Sequence, residues 1–134
     1  MSGEEAGGIV KRAMGIADLG PAINDKVGTY SKGMVRKLLL GRALMTRPTL
    51  AILDEPTSRL DVITSLEVRE IIKRYAKEGI SVLLSSHNML EIEFLSDRVA
   101  LIDEGRILDA GTSQGLKEKY SAAILEVVFR SAVR

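Results

Sequence analysis

Three groups of residues carry side chains suited to chemistry. Asp54 and Glu55 end an apolar run, Thr49-Leu50-Ala51-Ile52-Leu53, and Pro56 follows them at once. Adjacent acids at such an end can divide work: one holds Mg²⁺, directly or through water, and the other takes a proton from an attacking water. The plainer reading is two acids that close a strand and solvate a turn. His87 follows Ser81-Val82-Leu83-Leu84-Ser85-Ser86, again at the end of an apolar run. An imidazole there can donate to a phosphate oxygen or position a water, or serve only as local structure. The third group is Tyr30-Ser31-Lys32-Gly33-Met34. Ser31 can cap a helix that starts there, and Gly33 would let a ligand approach the backbone. The unpaired amides and helix dipole would attract phosphate. Lys32, Arg36, Lys37, Arg42 and Arg47 add positive potential with no acid between Tyr30 and Arg47, although simple capping and a solvated face also fit. A Ser-His-Asp hydrolase triad is the competing reading of His87.

These residues need elements to position them. Residues 1 to 8 read as frayed, Ile9 to Leu19 as a short helix broken by Gly20-Pro21, and residues 22 to 30 as a loop. A helix is predicted from Ser31 to Met45. The apolar run ending at Leu53 reads as a buried strand. A second long helix follows Asp61, with Val62, Leu66, Ile71, Ile72 and Tyr75 sharing a face and Asp61 a candidate cap. Ser81 to Ser86 is the next strand, and Asn88 can cap a short helix to Leu95. Arg98–Asp103 and Arg106–Asp109 flank Glu104-Gly105 as a hairpin. A small polar helix ends near Tyr120, and Ile124 to Phe129 is β-prone. Strands alternating with helices predict an α/β fold with a mostly parallel sheet, whose carboxyl ends collect ligands.

Composition narrows the classes further. The chain has 134 residues, no Cys and one His, which excludes a disulfide scaffold and any Cys- or His-rich metal centre. No apolar run reaches the ~18 residues of a spanning helix. The start lacks the blocks of a signal peptide, so a cytoplasmic location is expected. A formal charge of +1 gives no reason to expect bulk binding to nucleic acid.

The neighbours of the candidate residues sharpen the reading. Asp54-Glu55-Pro56-Thr57-Ser58 after an apolar strand resembles the Walker B segment of ATP-binding cassette (ABC) ATPases. Ser58-Arg59-Leu60-Asp61 resembles the family's D-loop, with Arg59 where Gly is usual. Tyr30-Ser31-Lys32-Gly33-Met34 resembles the signature motif, matching at Ser31 and Gly33 and departing at Tyr30, Lys32 and Met34. Ser85-Ser86-His87-Asn88 resembles the switch, or H-loop. The resemblance covers residues 9 to 112, and the flavour of its helices is that of drug, polyketide or sodium exporters. It implies a partial P-loop NTPase-type sheet with flanking helices and part of the helical signature subdomain. The implied division is 1–47 (signature region), 48–112 (Walker B, D-loop and H-loop core) and 113–134 (tail).

It also implies roles. Glu55 and His87 are catalytic, as general base and γ-phosphate sensor; Asp54 organises Mg²⁺, through water; Ser31, Lys32, Gly33 and Asp61 contact ATP. The implied partners are a second nucleotide-binding subunit and transmembrane permease subunits, with the chain peripheral to the membrane. No Gly-x-x-x-x-Gly-Lys-Ser/Thr occurs in the sequence. The chain therefore resembles the carboxyl-terminal part of a nucleotide-binding domain, inactive by itself. The missing Walker A strand would lie between the strand ending at His87 and the strand from Arg98. The β-prone tail is the candidate filler of that gap, in cis or through a strand-exchanged dimer. The alternative is a non-catalytic interaction or dimerisation module that complements a separate chain bearing Walker A.

Overall fold

The computed structural model describes residues 2–120 and 127–131. The first helix, α1 (Gly3–Ala17), begins well before Ile9. Residues 3–8, expected to be frayed, are helical because Ser2 and Glu5 form a reciprocal capping box and Glu4 and Glu5 complement the dipole. Two 3₁₀ turns, Gly20–Asn24 and Val27–Thr29, occupy most of the expected loop. They deliver the chain to α2 (Lys32–Leu44), capped by Ser31. α1 and α2 pack closely at Gly41, where an added Cβ would stand 2.6 Å from the Ala13 carbonyl oxygen. The Arg12 guanidinium donates to the Met45 carbonyl at 2.7 Å and ties the pair one turn further along α2.

The remaining elements alternate: β1 (Leu50–Asp54), α3 (Val62–Lys77), β2 (Ser81–Ser86), α4 (Met89–Leu95), β3 (Val99–Asp103), β4 (Arg106–Gly111), α5 (Ser113–Lys119) and β5 (Val127–Ser131). They form one sheet in the order β1-β2-β5-β3-β4. β1 and β2 are parallel, and β5 is antiparallel to both β2 and β3. The strands β1, β2 and β3 therefore run in one direction and end on the same side. The antiparallel partners are β5 and β4, the latter returning through Glu104 (φ 44°) and Gly105 (φ 76°). Positive φ at both central residues is what a two-residue hairpin turn requires.

β5 stands between β2 and β3, where a gap-filling strand was expected from the tail. It does so within one chain, so the sheet needs no exchanged strand to be continuous. Of the predicted β-prone stretch, residues 124–126 lie outside the described residues.

The core joins Ile16, Leu40 and Leu44 of the helical pair to Val68, Ile72, Val82, Leu84, Ile92, Val99 and Leu101. Two predicted burial patterns are corrected. In α3 the buried residues are Ser65, Val68, Ile71, Ile72 and Ala76, so Ile71 and Ile72 face inward as expected, while Val62 is 76% and Leu66 49% exposed. The heptad-like offsets from Ser65 fix the inward face, and Val62 and Leu66 fall beside it. β1 is an edge strand, not a buried one: Ala51 faces the core, but Ile52 is 70% exposed. Ala51 pairs in register with buried Val82, and Ile52 with Leu83 on the opposite, less covered sheet face.

Candidate functional site

Glu55 and His87 meet where β1 and β2 end. The last pair of the parallel ladder is Asp54 with Ser85, so the next residues on each strand emerge side by side. Glu55 turns at once, with φ 45°, and its amide donates at 3.1 Å to both the carbonyl and the hydroxyl of Ser85. Ser58 N–H donates back to the Glu55 carbonyl at 3.1 Å and closes the turn. Glu55 Oε1 then accepts from the His87 amide at 3.1 Å and lies 2.7 Å from His87 Nδ1. This bond assigns the proton to Nδ1. The His87 side chain is 70% exposed and that of Glu55 28%, so the pair sits at a solvent-facing rim.

Polar residues beneath the rim complete the arrangement. The Ser85 hydroxyl donates to Asp54 Oδ1 while accepting from the Glu55 amide. The Ser86 hydroxyl donates to Glu91 Oε2 and accepts from the Asn88 amide at 3.0 Å. Thr57 Oγ1 donates to Glu91 Oε1 at 2.6 Å. Asn88 caps α4 through Leu90 N–H (3.0 Å) and Glu91 N–H (3.4 Å). Sequence reasoning missed Ser85, Thr57 and Glu91. The usable signal was two consecutive serines ending an otherwise apolar strand, since buried hydroxyls at that point must find partners.

The candidate residues distribute over three clefts around the turn after β1. Glu55 and His87 line one of about 390 Å³, with Ser58, Arg59, Leu66 and Arg69. Tyr30, Lys32 and Arg36 line a second of about 370 Å³, whose far wall is again Ser58, Arg59 and Leu60. Asp54 lines a third of about 230 Å³ beside Arg36, Arg42 and Pro56. The segment 58–60 thus separates the acid–imidazole pair from the start of α2. Arg59 in that segment has φ 62°, a left-handed backbone that Gly would adopt at less cost.

Ser31 accepts from Met34 N–H at 3.2 Å and is exposed at the start of α2. Gly33 follows in the first turn of α2. It is buried against α3, where an added Cβ would lie 2.6 Å from Thr64 Cγ2, so its missing side chain serves helix packing. Asp61 caps α3 with both oxygens, accepting from Thr64 N–H at 2.9 Å and Thr64 Oγ1 at 2.7 Å. The Thr64 amide and then its hydroxyl hold the Asp61 carboxyl below the ordinary aspartate value.

Among the described residues no group of three or more His, Asp or Glu side chains converges on one point. Asp54 is a single carboxylate with one oxygen engaged by Ser85. Such a donor suits a hard cation that brings water and phosphate oxygens as its other ligands. Among the described residues no helix is long and apolar enough to cross a membrane.

Residues 5–58 match the ABC transporter family. The chain is 41% identical over 92 residues to the linearmycin resistance ATP-binding protein LnrL of Bacillus subtilis, covering 69% of this chain and 30% of that protein. It is 37% identical over 109 residues to the ABC transporter ATP-binding protein NatA of Bacillus subtilis, covering 81% of this chain and 44% of NatA. It is 38% identical over 105 residues to the doxorubicin resistance ATP-binding protein DrrA of Mycobacterium tuberculosis, covering 78% and 32%. The chain thus spans less than half the length of these relatives. Its fold is similar, with a TM-score of 0.71 and 24% identity, to the dimeric post-hydrolysis state of the ATP-binding cassette MJ0796 bound to ADP and Pi. That likeness covers 84% of this chain and 49% of the other.

Proposed function

Because this chain belongs to the ABC transporter ATP-binding family, we propose that it supplies the water-activating half of an ATPase site that energises transport across a membrane. The observation that carries the reading is the shared Oε1 of Glu55, bonded to the backbone and the ring of His87 at the carboxyl ends of parallel strands. With Oε1 so engaged, Oε2 is the oxygen that takes a proton from water attacking the γ-phosphate of ATP. His87 contributes its ring to a γ-phosphate oxygen while Glu55 keeps it oriented. Asp54 would hold Mg²⁺ through water, and the cation would supply charge neutralisation at the phosphates. Ser31 and Lys32, across segment 58–60 from this pair, serve the nucleotide held mainly by a second nucleotide-binding subunit. Asp61 acts by shaping that segment. The assembled protein is cytoplasmic, peripheral to the membrane, and works on permease subunits.

The phosphate-gripping loop is not among these 134 residues, so the chain alone turns over no ATP. Loss of that loop removes the dominant Coulomb attraction for the phosphates, which the rim residues cannot replace. A second reading, a non-catalytic module that pairs with a separate chain bearing the loop, is favoured by β5. That strand completes the sheet from within the chain. Calorimetric titration with Mg-ATP distinguishes the cases. No binding by the chain alone, and binding once a loop-bearing chain is added, supports complementation. Micromolar binding by the chain alone contradicts the shared-site account.

A further inference from the structure

Glu91 is fully buried, 0% exposed, in α4. Among the described residues it enters no ion pair. A carboxylate in such a place is costly relative to water unless its oxygens are satisfied, and an apolar residue of similar volume would be cheaper. Its two oxygens are satisfied by hydroxyls from two different strand ends. Oε1 accepts from Thr57, two residues after Glu55; Oε2 accepts from Ser86, the residue before His87.

We infer that Glu91 is a positioning residue that holds the turn after β1 against the end of β2, and thereby keeps the carboxylate of Glu55 on the imidazole of His87. The inference rests on the reading of that pair as the reacting groups. Glu55 occupies a left-handed backbone conformation, φ 45°, that a non-glycine residue adopts only where its surroundings enforce it. The bonds that enforce it include the Ser85 contacts on one side, the Ser58 amide on the Glu55 carbonyl, and Thr57, two residues on, held by Glu91. Ser86 is fixed by the same carboxylate and in turn accepts from the Asn88 amide, so both residues flanking His87 are anchored. With one arm cut, the turn relaxes and the 2.7 Å contact opens. Glu91 itself lies beneath the rim, bonded away from the cleft, and touches no reacting atom.

The chain holds one histidine, so its imidazole NMR signals need no assignment. The charged groups around that ring include Glu55 in contact, Arg59 and Arg69 lining the same cleft, and Glu91 behind Ser86. The full 134-residue chain is titrated and the imidazole midpoint read. Glu55→Gln sets the uncoupled value, which should lie below wild type, because a contacting carboxylate favours the imidazolium. Thr57→Val changes no charge, and is expected to move the midpoint at least half of that distance; Thr57→Ser, which restores the hydroxyl, returns it to wild type. Glu91→Gln should shift it similarly, and Ser86→Ala replaces that variant if it does not fold. A purely structural Glu91 would lower the melting temperature in Thr57→Val and leave the midpoint untouched, and that result overturns the role. If Glu55→Gln itself leaves the midpoint at wild type, the Glu55–His87 pairing fails, and both readings fall with it.

Discussion

The rim of β1 and β2 and the start of α2 both carry residues expected to face a phosphate, yet they are built differently. At the rim, Ser85, Ser86, Thr57 and Glu91 fix the backbone and side chains of Asp54, Glu55 and His87 from below. At the start of α2 a single cap bond, Ser31 to Met34 N–H at 3.2 Å, defines the turn. Lys32 extends from it into a cleft without a carboxylate among its lining residues. The rim is organised within the chain; the helix start is an exposed set of amides and a cation. The difference matches a division of labour in which proton transfer demands geometry set to a few tenths of an ångström, whereas charge attraction does not.

The largest expected effect breaks the better-built region. Ser86→Ala leaves Glu91 Oε2 and the Asn88 amide without their partner, and should cost about 2–3 kcal/mol in chemical denaturation. A cost under about 0.5 kcal/mol would mean the hydroxyl bonds are not the fabric of the rim. The next tests whether Gly33 serves packing or a ligand. Gly33→Ala should cost about 1–2 kcal/mol through the clash with Thr64 Cγ2, and adding Thr64→Ser, which removes that methyl, should recover most of it. No recovery in the double variant would return Gly33 to the ligand.

The smallest effect is electrostatic. The Thr64 bonds depress the Asp61 carboxyl, and bonds from Lys119 and Tyr120 depress that of Asp109. A depressed folded value contributes stability present above the ordinary carboxylate range and lost as pH falls through the folded value. Lys119 is raised by its bond to Asp109, so its contribution is present below about 10.5 and lost as pH rises through the folded value. Melting temperature should therefore decline towards both extremes. Asp61→Asn should flatten the acid limb, Asp109→Asn both limbs. Unchanged limbs in these variants would remove the capping and tail contacts from the stability account.

Much of the site was legible because its signals are local. An apolar run that stops in Asp-Glu-Pro, and another that stops in Ser-Ser-His, place Glu55 and His87 at strand ends, and parallel pairing brings them together. Ser31 and Asn88 were legible as caps for the same reason. The errors lie where distant packing decides. The glycines at 3, 7 and 8 suggested fraying, but the Ser2–Glu5 box starts the helix regardless. Ile52 looked buried by type; nothing local tells that β1 stands at an edge. Gly33 acquires its meaning from Thr64 on another helix, and Glu91 from hydroxyls in the turn after β1 and at the end of β2, so neither role is written in its own neighbourhood.

The most direct test of the shared-site account is phosphate release by a fusion that joins the upstream part of NatA to this chain. The account predicts steady ATP turnover by the fusion and none by the 134-residue chain alone. It also predicts a fall of about 10²–10⁴-fold in the fusion carrying Glu55→Gln. Turnover by the fusion that survives Glu55→Gln unchanged would contradict it.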